Sequence, residues 1–169
     1  MRGVIMKNIC MIIRFSLFII MLLSTISCAE DDNQPQVETD YMLFGHFYGF
    51  CLGEQCIEIF KLTDTQLFED TIDQYPSRDK PYEGSYTVLD ETKFDLVKGL
   101  AESIPDELLN EQSNVIGSPD ASDGGGVYVA IISDGETRFW LIDQFQQNLP
   151  SYLRPFVTQI NESIALINN

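Results

Sequence analysis

Basic residues are scarce in this sequence: its 169 residues include 10 Lys and Arg against 26 Asp and Glu, giving a formal charge of −16. Residues 1–27 hold three of the basic residues and no acidic one, so the chain from residue 28 onward has a charge of −19. Nucleic-acid binding needs clustered Lys and Arg to contact phosphate. The scarcity of basic residues therefore argues strongly against that function. The same charge disfavours anionic lipid headgroups and leaves a basic protein or another envelope component as a compatible partner.

Recognisable catalytic and cofactor motifs are also lacking. His46 is the single histidine, and no Gly-x-Ser-x-Gly nucleophile motif accompanies it. Neighbouring carboxylates such as Glu69 with Asp70 are compatible with a glycan hydrolase, which needs two carboxyl groups several ångströms apart. With 26 acidic residues in the chain, such pairs also arise by chance, and we interpret them as solvated faces and helix caps. The sequence therefore favours a non-enzymatic protein and predicts no cofactor.

The first 27 residues combine three basic residues, a short apolar run at residues 15–23 and small or polar residues just before Cys28. This order is typical of a secretory signal peptide. The apolar run is only about half of the roughly 20 residues that a helix needs to cross a bilayer. We therefore predict a cleaved signal peptide over residues 1–27 instead of a transmembrane helix.

Residues 23–28 (Leu-Ser-Thr-Ile-Ser-Cys) resemble the processing site of bacterial lipoproteins that are cut by the lipoprotein signal peptidase. Thr25 departs from the leucine that this family prefers at its position. The resemblance implies that Cys28 becomes the lipidated N-terminus and binds the membrane through two or three acyl chains, which hold more firmly than one. Residues 29–32 (Ala-Glu-Asp-Asp) resemble the acidic export tail of surface lipoproteins from Bacteroidetes-type bacteria. This implies an outer-membrane lipoprotein, with the cell surface favoured over the periplasmic face.

The remaining chain divides into an acidic tether over residues 28–40, beginning at the lipidated cysteine, and a single globular domain over residues 41–169. Cys51 and Cys56 are the two cysteines in that domain. An exported compartment permits disulfides, and the two cysteines flank a short, glycine-containing turn, so we predict a bond between them. Free thiols and a metal site that includes His46 are the alternatives, although zinc requires at least three protein ligands.

Hairpin and helix signals alternate along the predicted domain. Asp134-Gly135 between two apolar runs is a strong hairpin signal, and residues 41–51 with 56–62 form a second hairpin around the cysteines. If Cys51 lies opposite Cys56, His46 shares a sheet face with Ile59, and Phe47 lies on the other face. Apolar residues recur at helical spacing over residues 94–104 and 153–167. We predict an α+β fold, with an antiparallel sheet built from hairpins and two helices packed on one face.

The segment from residue 117 to 126 is the most distinctive loop of the sequence. It fails as an EF-hand that starts at Asp120, because the twelfth position is Ile131 where a carboxylate is needed. A partner-binding or cation-binding loop remains one interpretation, and unusual backbone angles at the glycines are the other. Its Pro-Asp-x-x-Asp-Gly-Gly pattern resembles uncharacterised exported lipoproteins, which implies no activity. The residues of this possible loop site are Asp120, Asp123, Gly124, Gly125 and Gly126.

Taken together, these features favour a lipid-anchored protein of the cell envelope that acts as a non-enzymatic binding or accessory module. An acidic inhibitor or immunity protein directed against a basic envelope enzyme is the first alternative. A carboxylate-based glycan hydrolase is the second alternative.

Overall fold

The computed structural model describes residues 40–169, so the predicted signal peptide, Cys28 and the tether before residue 40 lie outside the described residues. The described residues form seven strands and three α-helices, joined by loops and short 3-10 turns. The strands are β1 (Tyr41–Phe47), β2 (Ile57–Thr63), β3 (Leu67–Asp70), β4 (Tyr86–Val88), β5 (Val115–Ile116), β6 (Gly126–Ser133) and β7 (Glu136–Asp143). The helices are α1 (Glu91–Val97), α2 (Asp106–Leu109) and α3 (Arg154–Ile167).

All seven strands belong to one sheet, in the order β4-β3-β2-β1-β6-β7-β5. Every neighbouring pair is antiparallel except β5 with β7. Strand β1 lies at the centre and pairs with β2 on one side and β6 on the other along its whole length. The prediction of an α+β fold with a mainly antiparallel sheet is confirmed.

Helices α1 and α3 pack on one face of the sheet, as predicted, and form the larger core with it. Helix α3 begins at Arg154, with Pro155 in its first turn, where the missing amide hydrogen of proline costs no helical hydrogen bond. Its apolar stripe covers the inner face around the fully buried Trp140. The buried residues of this stripe are Phe156, Val157, Ile160, Ile164 and Ile167.

A loop over residues 71–85, without regular secondary structure, covers part of the opposite sheet face. The buried Asp70 carboxylate organises this loop, because it accepts hydrogen bonds from the Tyr82 hydroxyl at 2.5 Å and the Ser85 amide at 2.6 Å. The same carboxylate also accepts hydrogen bonds from the backbone amides of Ile72 and Asp73. A buried charge is tolerated only where it is hydrogen-bonded, so Asp70 fixes the path of the loop.

Both predicted hairpins are present, and the one at Asp134-Gly135 connects β6 to β7. Asp134 and Gly135 have φ values of +53° and +79°, which is the pattern of the turn that matches strand twist. The predicted assignment of side chains to the two faces of the first hairpin was wrong. Phe47 pairs with Ile57, and His46 pairs with Glu58.

The physical reason is that the cysteines do not continue the ladder of β1 and β2. Strand β1 ends at Phe47, and residues 48–56 form an open loop that ends in a 3-10 turn. A shift of one residue in register moves every side chain to the opposite face. His46 therefore lies on the helix-covered face with Phe60, while Phe47 lies on the other.

Candidate binding surface at the disulfide end of the sheet

A disulfide joins Cys51 to Cys56, as predicted, with their Cα atoms 5.6 Å apart. Backbone hydrogen bonds fix the base of the loop: the Tyr48 amide donates to the Cys56 carbonyl at 2.9 Å, and the Cys56 amide donates to the Gly53 carbonyl at 3.2 Å. The His46 ring also lies within hydrogen-bond distance of the Gln55 carbonyl, at 3.0 Å. The loop is therefore held at its base by the disulfide and by its own backbone.

The tip of this loop presents two large apolar side chains to solvent. Phe50 is 85% exposed and Leu52 is 101% exposed, the highest values among the large hydrophobic residues in the described part of the chain. Single exposed apolar residues are ordinary, but two on one constrained loop form a patch that calls for a physical explanation. Neither side chain contributes to the described cores.

The loop over residues 117–126 packs directly beside the disulfide loop. The Asp120 carboxylate accepts the Gly49 amide at 3.0 Å, the Tyr75 hydroxyl at 2.8 Å and the Gly125 amide at 3.1 Å. Burial and the hydrogen bond to Asp120 raise the pKa of Tyr75 to about 12. Both carboxylate oxygens of Asp120, which one interpretation of the sequence placed in a cation-binding or partner-binding loop, thus accept hydrogen bonds from protein donors, and these bonds join three separate segments.

The three glycines of this loop have a packing role that their sequence did not specify. Gly125 has a φ of +74°, a conformation that L side chains rarely adopt. Aromatic rings also occupy the space that a side chain would need. A Cβ atom would lie within 2.4 Å of a ring at each position, namely that of Phe145 at Gly124, Tyr48 at Gly125 and Phe47 at Gly126.

These contacts bring together one surface, which we call the disulfide end and which consists of Tyr48, Phe50, Leu52, Tyr75 and Phe145. Tyr75 and Phe145 are 43% and 46% exposed, and Tyr75 packs edge-on against the buried Phe47 ring at 5.1 Å. Four segments build this end, and none of them contains Lys or Arg. The segments are residues 48–56, 73–77, 117–126 and 143–148. The surface is aromatic, and Arg78, the residue that follows the second segment, places one basic charge near Tyr75.

The first described residue lies at the opposite end of β1. Asp40 accepts hydrogen bonds from the Ser133 hydroxyl at 2.7 Å and the Asp134 amide at 3.1 Å, and these bonds lower its pKa below 3.8. Strand β1 has seven residues, which separates its ends by about 20 Å at the usual rise per residue. The chain therefore enters the domain about one strand length away from the disulfide end.

A cavity of about 480 Å³ is lined by several carboxylates and lies where the beginning of β2 and the end of β3 meet the end of α3. The Glu58 carboxylate accepts two hydrogen bonds from the side-chain amide of Asn168, at 2.9 and 3.0 Å. Its Oε2 atom lies 3.0 Å from Nε2 of His46. Asp70 in the same cavity is held by the loop described above. Two carboxylates that would serve as an acid–base pair therefore already have protein partners.

Comparison with protein-family models, curated protein sequences and solved structures found no match to this chain.

Within residues 40–169, no cluster of three or more His, Cys, Asp and Glu side chains is arranged to hold a metal ion. No helix in the same range has the length and hydrophobicity needed to cross a membrane. The cysteines and the glycines of residues 117–126 were recognisable from the sequence, whereas no sequence signal placed Tyr75 and Phe145 on the same surface.

Proposed function

We propose that this chain is a lipid-anchored, non-enzymatic binding or accessory protein of the cell envelope, and that its disulfide end contacts the partner. The observation that carries this proposal is the exposure of Phe50 and Leu52 on a loop closed by a disulfide. The signal-like residues 1–27 and the following Cys28 support the anchor.

The energetics of the loop favour binding. Full burial of an aromatic or aliphatic side chain contributes about 1.5–3 kcal/mol, so Phe50 and Leu52 together offer a substantial apolar contribution. The disulfide restricts the loop before a partner arrives, which lowers the conformational cost of association. The flanking Tyr75 and Phe145 enlarge the same surface with aromatic side chains, which are enriched in protein interfaces.

The alternative of an acidic inhibitor or immunity protein is favoured by a different surface. Residues 90–111, which include α1 and α2, carry seven acidic residues against two lysines, and nearly all of these carboxylates are exposed. Such a face complements a basic enzyme, and the binding would weaken as salt increases. The glycan hydrolase has less support, because Glu58 and Asp70 already accept protein hydrogen bonds.

The anchor is tested by metabolic labelling of the full chain with an alkynyl fatty acid in a Gram-negative host. We expect label on the wild type and on Cys10→Ser, and no label on Cys28→Ser. Label retained by Cys28→Ser would refute the anchor.

The binding role is tested by amine-reactive cross-linking on whole cells. We expect the wild type to form a discrete adduct, and the double variant Phe50→Ser with Leu52→Ser to lose it. Leu166→Ser is the matched control, because Leu166 is 49% exposed on α3, and it should keep the adduct. Loss of the adduct in the control alone would move the binding surface to α3.

A further inference from the structure

The chemistry of the disulfide end restricts what it can contact. An exposed apolar loop of this kind can insert into a bilayer or into a pocket of another protein, and the two targets differ in charge. Bacterial membrane surfaces rich in anionic lipid attract basic residues, each contributing about 1 kcal/mol near the surface. The four segments of the disulfide end contain no Lys or Arg, and Arg78, which follows the second of them, brings one basic charge near Tyr75.

Acidic residues strengthen this argument. Asp73 and Asp123 are exposed on two of the same four segments. Across residues 40–169 there are 22 acidic and seven basic residues, a formal charge of −15. Insertion of Phe50 into an anionic surface would bring these carboxylates close to lipid phosphates, and like charges repel.

The position of the loop points the same way. Asp40, which continues into the predicted tether, lies at the end of β1 opposite the disulfide end. A domain anchored through Cys28 therefore has its attachment point at one end and Phe50 with Leu52 at the other. This arrangement suits contact with a molecule that lies beyond the membrane surface.

The shape of the loop indicates a concave target. Leu52 is as exposed as in an extended peptide, and Phe50 is nearly so, which means that both project from the domain and do not lie flat upon it. Projecting apolar anchors gain most when a partner surrounds them with a fully desolvated pocket. Acidic residues at the rim then favour basic residues around that pocket.

From these observations we propose that the disulfide end docks Phe50 and Leu52 into an apolar pocket of a partner protein whose rim carries Lys or Arg. This inference rests on the proposed binding function and names the class of its partner. The disulfide prearranges the two side chains for that pocket.

Site-specific photo-cross-linking of the full chain in intact cells tests the proposal. A photoreactive residue replaces Leu52 in one variant and Leu166 in a matched control, and the adducts are identified by mass spectrometry. We expect a protein adduct from position 52, whose cross-linked peptide has Lys or Arg next to apolar residues. Adding Cys51→Ser with Cys56→Ser should lower its yield about fivefold, the effect of about 1 kcal/mol of lost preorganisation.

Each other outcome has a distinct meaning. A lipid adduct from position 52, or a protein adduct whose peptide lacks basic residues, would overturn the proposed partner class. An adduct from position 166 without one from position 52 would overturn this inference and leave a binding function in place. Absence of adducts from both positions would count against the binding function itself.

Discussion

At the scale of single residues, two tyrosines on the loop-covered face show how burial of the same group can stabilise or destabilise. The Tyr82 hydroxyl donates to the Asp70 carboxylate and accepts the Gln74 amide. The Tyr86 hydroxyl is buried without a hydrogen-bond partner. A buried polar group stabilises only when it is paired, and it costs free energy when it is not.

Removal of the two hydroxyl groups should therefore have opposite effects. We expect Tyr82→Phe to lower the free energy of unfolding by about 2 kcal/mol, since hydrogen bonds to charged groups are the stronger ones. Tyr86→Phe should leave it unchanged or raise it by up to about 1 kcal/mol. Urea denaturation of the two variants measures both values, and equal losses would contradict the assignment of hydrogen bonds around Asp70.

Two glycines provide a second comparison at the residue scale. A Cβ atom on Gly45 would lie 2.0 Å from the Glu58 carbonyl oxygen, whereas one on Gly99 would meet no atom within 4 Å. Gly45→Ala should therefore destabilise the protein by at least about 3 kcal/mol, because backbone atoms at the centre of the sheet must move. Gly99→Ala should be neutral or stabilising by up to about 1 kcal/mol. Thermal unfolding of the pair distinguishes them, and similar midpoints would contradict the central position of β1.

At the scale of elements, the disulfide loop should behave as a unit separate from the core. Apart from Cys56 at its base, which is buried, the loop contributes no side chain to the described cores, so Cys51→Ser with Cys56→Ser should lower the free energy of unfolding mainly by the loop-closure contribution of about 2 kcal/mol. Hydrogen exchange should quicken over residues 48–56 and remain unchanged in β1 and β6. Faster exchange throughout the sheet would show that the disulfide supports the core as well.

The elements that the sequence predicted well are those with local signals. The Asp134-Gly135 hairpin follows from two residues that favour its turn, and α3 follows from its apolar stripe. The prediction of which sheet face His46 lies on was wrong, because the register of β1 with β2 depends on where β1 ends. No local residue marks that point. The path of loop 71–85 over the sheet depends on Asp70, and no local signal pairs this residue with Tyr82 and Ser85.

The candidate site was only partly predictable for the same reason. The disulfide could be predicted, since Cys51 and Cys56 are close in sequence and flank a turn. Tyr75 and Phe145 reach the disulfide end through long-range contacts, which include those with residues 117–126 and the packing of Tyr75 against Phe47. One local signal was available for the tip, namely two large apolar residues beside the cysteines in a short glycine-containing turn.

At the scale of the whole molecule, tyrosine burial predicts loss of stability in alkaline solution. Burial raises the pKa of five of the seven tyrosines above the ordinary value of 10.0, in the case of Tyr128 to about 12. Groups with a raised pKa in the folded state contribute stability that is complete below pH 10 and is lost as pH rises through the folded values. The five tyrosines are Tyr75, Tyr82, Tyr86, Tyr128 and Tyr152.

Two measurements check this prediction between pH 10 and about 12. The tyrosinate absorbance of the folded protein should lag behind that of the urea-unfolded chain, and the free energy of unfolding should fall. The direction follows because the unfolded chain releases these protons first. Coincident titration curves for the folded and unfolded chains would contradict the burial of the tyrosines.

The central proposal is that the protein binds its partner at the end of the domain opposite Asp40, where the proposed lipid-bearing tether joins the domain. The most direct test compares photo-cross-linking in intact cells from Phe50, at the disulfide end, and from Thr65, which is exposed in the turn between β2 and β3 near Asp40. We predict that position 50 forms a specific protein adduct and that position 65 does not. A specific adduct from position 65 alone would place the binding surface at the tether end and contradict the account.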